Sequence, residues 1–78
     1  MSDITKEIEA QLKDNHIILY MKGTPEIPQC GFSAQVVDIL SQYGKPYAYV
    51  NILEHPEIRQ TLKVISDWPT FPQLYVDG

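Results

Sequence analysis

The chain has 78 residues, 44% of them hydrophobic, and a net charge of −4 from six basic and ten acidic side chains. This acidic balance argues against binding to nucleic acid or to an anionic membrane surface. No apolar run approaches the roughly 20 residues that a membrane span requires. A chain of this length makes a single small domain, residues 1–78. Because its one cysteine cannot form an internal disulfide, we expect the reducing environment of the cytoplasm.

A helix and a strand are predicted first. Apolar residues recur at intervals of four among charged residues, which predicts a short amphipathic helix with Ser2 or Asp3 as its N-cap. The residues of this apolar stripe are Ile4, Ile8 and Leu12. After the turn Asp14-Asn15-His16, the unbroken apolar run Ile17–Met21 predicts a strand of the kind that is buried in a parallel sheet.

A stiff connection, residues 23–29, leads to a second helix. It contains Pro25 and Pro28, which exclude a helix from most of its length. Downstream, apolar residues at spacings of three and four predict a helix with one buried face. That face consists of Val36, Val37, Leu40 and Tyr43. The sequence Gly44-Lys45-Pro46 is typical of a helix end.

Two further strands enclose a third helix. Residues 47–52 are rich in aromatic and β-branched side chains and predict a strand. With Ile17–Met21 and the intervening helix, this strand would form a βαβ unit with a parallel strand pair. Pro56 suits the first position of the third helix, whose predicted inner face is Ile58, Leu62 and Ile65. Residues 72–76 are predicted to form a third strand.

Asp77-Gly78 is a strong signal for a two-residue hairpin turn. A hairpin turn requires a partner strand, so we expect the natural protein to continue past Gly78 by at least another strand and a helix. Without the apolar burial of that strand and helix, which exceeds the net stability of a small domain, we expect residues 1–78 not to fold stably by themselves.

Cys30 lies where the connection ends and the second helix begins. Free backbone N–H groups and the positive end of the helix dipole at such a position favour a thiolate over a thiol. The neighbours Pro28, Gln29, Gly31 and Ser33 are not typical of a hydrophobic core. The sequence therefore predicts that Cys30 is a reactive thiol rather than a buried apolar residue.

Pro72 opens the third strand, where proline is tolerated. Two alternatives stay open for the Phe71–Pro72 bond. The sequence alone favours an ordinary trans bond. A cis bond would instead turn the backbone of Phe71 outward, so that its N–H and C=O could pair with an extended peptide.

The alternation of helix and strand, with a cysteine at the head of the second helix, is typical of a thioredoxin-like fold with a mixed central sheet flanked by helices. The motif Cys30-Gly31-Phe32-Ser33 is preceded by Lys22-Gly23-Thr24-Pro25 and followed by Trp68-Pro69-Thr70-Phe71-Pro72-Gln73. Together these motifs resemble the monothiol glutaredoxins of the Cys-Gly-Phe-Ser class, most closely the bacterial single-domain type. One departure is that the family continues into a fourth strand, a Gly-Gly-Cys-Asp segment and a last helix, which are missing from this chain.

The resemblance implies a glutathione site. Lys22 would hold a glutathione carboxylate and add positive potential near Cys30, and Arg59 would meet the same carboxylate from the third helix. Phe71 would pair through its backbone with the cysteine of glutathione. For each of the two charged residues a role without glutathione stays open. Lys22 would then be a solvated lysine at a strand end, and Arg59 one charge among several on an exposed helix face. Phe32 is expected to be a hydrophobic plug at the helix start rather than a ligand.

The remaining chemistry-bearing residues match no further motif. With a single cysteine, His16 and His55 fit no zinc spacing, and we expect turn and helix-cap roles for them. For Trp68, a core position and an exposed rim are both open.

The single cysteine also bears on function. A two-iron cluster takes four ligands, typically thiolates. The resemblance implies that a homodimer supplies Cys30 from each chain and one bound glutathione thiol per chain, and so bridges one [2Fe-2S] cluster. It further implies cluster storage or transfer, with acceptor proteins and BolA-type proteins as partners.

Two other functions stay open. One is a glutathione-dependent thiol-disulfide oxidoreductase acting on mixed disulfides, at most a weak enzyme, because Ser33 stands where dithiol relatives have a resolving cysteine. The other is a non-catalytic interaction module. The long 23–29 connection favours the cluster carrier, since it can remodel the rim of the thiol site.

Overall fold

Helices and strands alternate along the chain in the predicted order. The computed structural model describes residues 3–78. The elements are α1 (Asp3–Asp14), β1 (Ile17–Met21), α2 (Gly31–Tyr43), β2 (Ala48–Asn51), α3 (Pro56–Ser66) and β3 (Gln73–Val76). Asp3 already lies in α1, and Ser2, the alternative N-cap, falls outside the described residues. None of the helices in the described part of the chain is long and apolar enough to cross a membrane.

The three strands form one mixed sheet in the order β2-β1-β3. β1 runs parallel to β2, with Leu19 opposite Tyr49, and the predicted βαβ unit is confirmed. β3 is antiparallel to β1, with Leu74 opposite Leu19 on that side. The mixed sheet follows from these two pairings, because one neighbour of β1 is reached by a helical crossover and the other arrives from the opposite end.

Helices cover both faces of β1, which explains its continuous apolar sequence. Ile18 and Tyr20 belong to a core formed with α1 and α3. Leu19 and Met21 point to the other face and pack with Leu40 of α2. All five residues of β1 are buried, as the sequence predicts for a strand covered on both sides.

The ends of α2 and α3 depart from the predicted buried faces. Gly44 caps α2 in the left-handed region at φ 80°, and its N–H donates to the carbonyl of Leu40 at 3.2 Å. Tyr43 is nevertheless 59% exposed, and Ile65 of α3 is 46% exposed. Both lie in the last turn of their helix, beyond the last residue that the helix buries, so periodicity alone overestimates the packed length.

The predicted turn residues after β3 adopt the backbone conformation that a two-residue hairpin turn requires. Asp77 and Gly78 both have positive φ, at 59° and 92°. The N–H of Asp77 donates to the carbonyl of His16 at 2.7 Å, and its carboxylate contacts Nδ1 of His16. These bonds attach the end of the described chain to the residue that precedes β1.

Candidate functional site

Cys30 occupies the N-cap position of α2, as predicted. Its backbone is extended, at φ −151° and ψ 157°, and its Sγ accepts a hydrogen bond from the N–H of Ser33 at 3.3 Å. An N-cap side chain satisfies one of the free N–H groups of the first helical turn in this way. The sulfur therefore faces the end of the helix at which negative charge is favoured.

The buried position of Ser33 was not predicted from the sequence. This serine is completely buried, so the expectation that it would not be a core residue is wrong. Its Oγ lies 3.4 Å from Sγ of Cys30 and accepts a hydrogen bond from the N–H of Lys22 at 3.1 Å. The signal was present in the spacing, because the side chain of an N-cap residue regularly meets the residue three positions later.

These contacts lower the pKa of the Cys30 thiol below its ordinary value. The side-chain hydrogen bond of Ser33 has the largest effect and the backbone N–H of Ser33 the next. Partial desolvation opposes them by raising the pKa, while the N–H of Phe32 and the charge of Lys22 lower it further. The thiolate is stabilised chiefly by hydrogen bonds from its own helix turn, and Lys22 adds the positive potential that was predicted for it.

The backbone around Lys22 is fixed by bonds to three different parts of the chain. Its N–H is held by Ser33, and its carbonyl accepts from the N–H of Gln29 at 2.8 Å. The next N–H, that of Gly23, donates to Oδ1 of Asn51 at 2.9 Å. Asn51 was not singled out from the sequence, because its partner is 28 residues away along the chain.

The 23–29 connection forms a compact loop. Thr24 and Ile27 exchange backbone hydrogen bonds of 3.1 and 3.2 Å, and Gly23 bridges to Pro28. Gly23 has φ 94°, and a Cβ at this position would lie 2.5 Å from the carbonyl oxygen of Ile27. Only glycine suits both the conformation and the space.

A cleft of about 500 Å³ lies between the start of α2 and the segment that precedes β3. Its lining residues come from three separate stretches of the chain: Lys22, Phe32, Val36, Thr70, Phe71 and Pro72. Two of the predicted site residues, Lys22 and Phe71, are thus brought together. Phe32 is 71% exposed on this cleft, so the expectation that it plugs the helix start is wrong.

Phe71 is a buried residue that lines the cleft and whose backbone polar groups are unpaired among the described residues. The Phe71–Pro72 bond is cis, so the trans bond that the sequence alone favoured is wrong. The residue is 6% exposed and packs in the core with α1 and α3. Within residues 3–78, the N–H and C=O of Phe71 make no hydrogen bond, which leaves both groups free to pair with another chain.

Arg59 lies on α3 and is not among the residues that line the cleft. Its Nε is buried and has no hydrogen-bond partner among the described residues. A buried, unsatisfied guanidinium nitrogen is costly. The contact between Arg59 and a glutathione carboxylate stays a prediction.

The other residues considered from the sequence lie apart from the cleft. Trp68 is 60% exposed, so the alternative of a rim position is the one observed. His16 precedes β1 and contacts Asp77; His55 takes the N-cap position of α3 without a side-chain cap bond. Among the described residues, no three His, Cys, Asp or Glu side chains are grouped so that they could hold a metal ion.

Comparison with known proteins gives a consistent result. The sequence family described as Glutaredoxin matches residues 17–78. A protein named Glutaredoxin 4 from Buchnera aphidicola subsp. Acyrthosiphon pisum is 59% identical over 75 residues, covering 96% of this chain and 69% of the relative. Glutaredoxin 4 from Escherichia coli K12 is 53% identical over all 78 residues, which are 68% of its length.

A solved structure supports the fold. The solution structure of reduced poplar apo GrxS14 superimposes with a TM-score of 0.79 at 48% identity, covering 96% of this chain and 69% of that one. The predicted thioredoxin-like architecture is confirmed by this likeness.

Proposed function

The chain belongs to the glutaredoxin family, and on that basis we propose that it binds glutathione and, as a homodimer, carries a [2Fe-2S] cluster for storage or transfer. The single observation that carries the proposal is the placement of the one cysteine. Its thiolate is stabilised at the head of α2, two residues before Phe32, which lines an open cleft with a lysine and unpaired backbone groups on its wall. BolA-type proteins and cluster acceptors are the proposed partners, and the cytoplasm is the proposed compartment.

One chain has too few cysteine ligands to hold a cluster by itself, and so fits a cluster that is shared between two chains. A two-iron cluster takes four ligands, typically thiolates, and the chain has one cysteine. Two chains supply two Cys30 thiolates, and two bound glutathione molecules supply the other two. The lowered pKa of Cys30 supports this assignment, because the thiolate is the form that binds iron.

The cleft has the features that a small peptide requires. Its volume of about 500 Å³ is in the range of small-molecule sites. Lys22 would pair with a glutathione carboxylate, and the free N–H and C=O of Phe71 would pair with the cysteine of glutathione in the manner of an added strand. Arg59, which does not line the cleft, would extend from α3 to meet the same carboxylate.

The alternative function is that of a thiol-disulfide oxidoreductase, and the lowered pKa of Cys30 also favours it. In that reaction the Cys30 thiolate attacks the glutathione sulfur of a mixed disulfide. The substrate leaves as a thiolate, and Cys30 is left joined to glutathione. A second glutathione thiolate must then release Cys30 and form oxidised glutathione, because the chain has no second cysteine.

The test is reconstitution without oxygen, using iron, sulfide and reduced glutathione. We expect visible charge-transfer absorption, two irons per two chains, and a dimer in sedimentation experiments. A parallel sample without glutathione should remain colourless and monomeric. A colourless protein in both samples would contradict the carrier function. Turnover of a glutathione mixed disulfide by that colourless protein would then support the alternative.

A further inference from the structure

Gln73 is a buried polar residue at the start of β3, with 7% of its surface exposed. It lies opposite Tyr20 in the antiparallel pairing with β1. A primary amide at such a position is costly unless its donors and its acceptor are all used. The partners of Gln73 therefore indicate what this side chain does.

Three hydrogen bonds use the whole amide. Nε2 donates to the carbonyl oxygens of Trp68 and Thr70, at 3.2 and 3.0 Å. Oε1 accepts from the hydroxyl of Tyr75 at 2.5 Å. Tyr75 lies two residues further along β3, on the same face, and its ring packs edge-on against Tyr20. The two carbonyls thus use the donor end of the amide, and the tyrosine hydroxyl uses its acceptor end.

The segment held by these bonds leads directly to one wall of the cleft. Residues 68–70 are exposed, so little apolar packing restrains them. Thr70, Phe71 and Pro72 line the cleft, and the Phe71 N–H and C=O have no partner within residues 3–78. The two carbonyls bound by Gln73 lie three and one residues before Phe71.

We propose that Gln73 is a positioning residue of the peptide-binding wall. By holding the Trp68 and Thr70 carbonyls, it fixes where the backbone groups of Phe71 lie and thereby sets the affinity for glutathione. Gln73 does not touch the ligand and acts through Phe71. This inference rests on the proposed function, because it assumes that glutathione binds in the cleft.

The test compares matched variants of the protein by amide NMR during a titration with reduced glutathione. Gln73→Met keeps a side chain of similar length but removes all three hydrogen bonds. Tyr75→Phe removes only the bond to Oε1 and leaves both donors of Gln73 in place. Ile58→Val weakens the same core without touching the 68–70 segment, and so controls for stability.

We expect Gln73→Met to weaken glutathione binding by about tenfold, because a small displacement of a positioned group has effects of this size or larger. Tyr75→Phe and Ile58→Val should bind within about twofold of the wild type. In the ligand-free protein, the amide signals of Thr70 and Phe71 should shift or broaden in Gln73→Met only. If Gln73→Met does not unfold cooperatively, Gln73→Leu replaces it, because it also lacks the amide and introduces no charge.

The outcomes are separable. Wild-type affinity in the Gln73 variant overturns the positioning role and leaves the proposed function intact. A wild-type protein that binds no glutathione contradicts the proposed function instead. In that case the ligand-free spectra decide: perturbation of Thr70 and Phe71 confined to the Gln73 variant supports positioning of this wall, and unchanged spectra overturn it.

Discussion

The buried hydroxyl of Ser33 accepts a hydrogen bond from the backbone N–H of Lys22 at 3.1 Å. The same oxygen lies 3.4 Å from Sγ of Cys30. Because the Lys22 N–H occupies the acceptor side of the oxygen, the hydroxyl proton is available to the sulfur when Cys30 is a thiolate. The serine of this motif therefore connects the end of β1 to the reactive thiol.

The first prediction concerns the acidity of Cys30. Ser33→Ala removes the hydrogen bond that lowers the thiol pKa most, so the pKa of Cys30 should rise. The rate of alkylation by iodoacetamide, measured against pH, should reach its midpoint at a higher pH than in the wild type. Ser41→Ala is the control, since that hydroxyl bonds only the carbonyl of Asp38 on the exposed side of α2. An unchanged midpoint in Ser33→Ala would show that the hydroxyl does not act on the thiolate.

The second prediction concerns the resolving thiol. Ser33→Cys places a second sulfur three residues after Cys30, so the protein could release glutathione by forming an internal disulfide. Reduction of a glutathione mixed disulfide should become faster than in the wild type. If the variant gains no activity, the missing second thiol is not what limits the reductase activity, and the 23–29 loop is the next candidate. The argument that the protein is a cluster carrier rather than an enzyme would then be weaker.

The third prediction concerns cluster ligation. Cys30→Ser should abolish cluster binding, because a serine hydroxyl does not replace a thiolate well and the chain has no other cysteine. Visible absorption after anaerobic reconstitution is the measurement, and Ser41→Ala, which leaves the thiol and its hydrogen bonds in place, serves as the comparison. Native charge-transfer bands in Cys30→Ser would exclude Cys30 as the ligand.

The fourth prediction concerns the charge in the cleft. Lys22→Ala should weaken glutathione-dependent cluster retention by about 1.5–3 kcal/mol, the size of one charge-assisted hydrogen bond. Lys22→Glu should be worse, because it places a like charge against the carboxylate. Lys45→Ala removes an exposed lysine that lies over the ring of Tyr43 instead and should behave as the wild type. Equal retention by all variants across a glutathione titration would rule out the role of Lys22.

The fifth prediction concerns the loop. Gly23 and Gly44 both have positive φ, but a Cβ at Gly44 would meet no atom within 4 Å, whereas one at Gly23 would collide with the backbone of Ile27 and Gln29. Gly44→Ala should cost about 1–2 kcal/mol of unfolding free energy from backbone strain alone. Gly23→Ala should cost more, because the clash is added to the strain. Urea denaturation of both variants measures the difference, and equal losses would contradict the loop geometry.

Local patterns predicted most of the architecture. The bounds of β1 and the N-cap position of Cys30 agree with the sequence because an apolar run and a helix start depend on neighbouring residues. The strand predicted over residues 47–52 is shorter in the structure, at Ala48–Asn51. Pairing with β1 limits its length, and a pairing partner cannot be deduced from composition.

The site was predicted less completely, for a physical reason. The residues that were missed are Ser33, Asn51 and Gln73. Each has a polar side chain whose burial or hydrogen-bond partners are set by the tertiary structure. No periodicity marks such residues. A polar residue that faces the core has the same sequence signature as one that faces solvent, so only the fold distinguishes the two.

The bonds around Cys30 have a consequence for how the site could fail. The hydrogen bonds to its sulfur, the bond that Ser33 Oγ accepts from Lys22 and the bond that the Lys22 carbonyl accepts all lie within residues 22–33. The wall at Phe71, in contrast, is attached through β3, more than 35 residues further along the chain. Closing a short loop costs less entropy than closing a long one. Partial unfolding that detaches β3 would therefore remove recognition of a peptide while the thiol kept its acidity, leaving a protein that is still reactive but no longer selective.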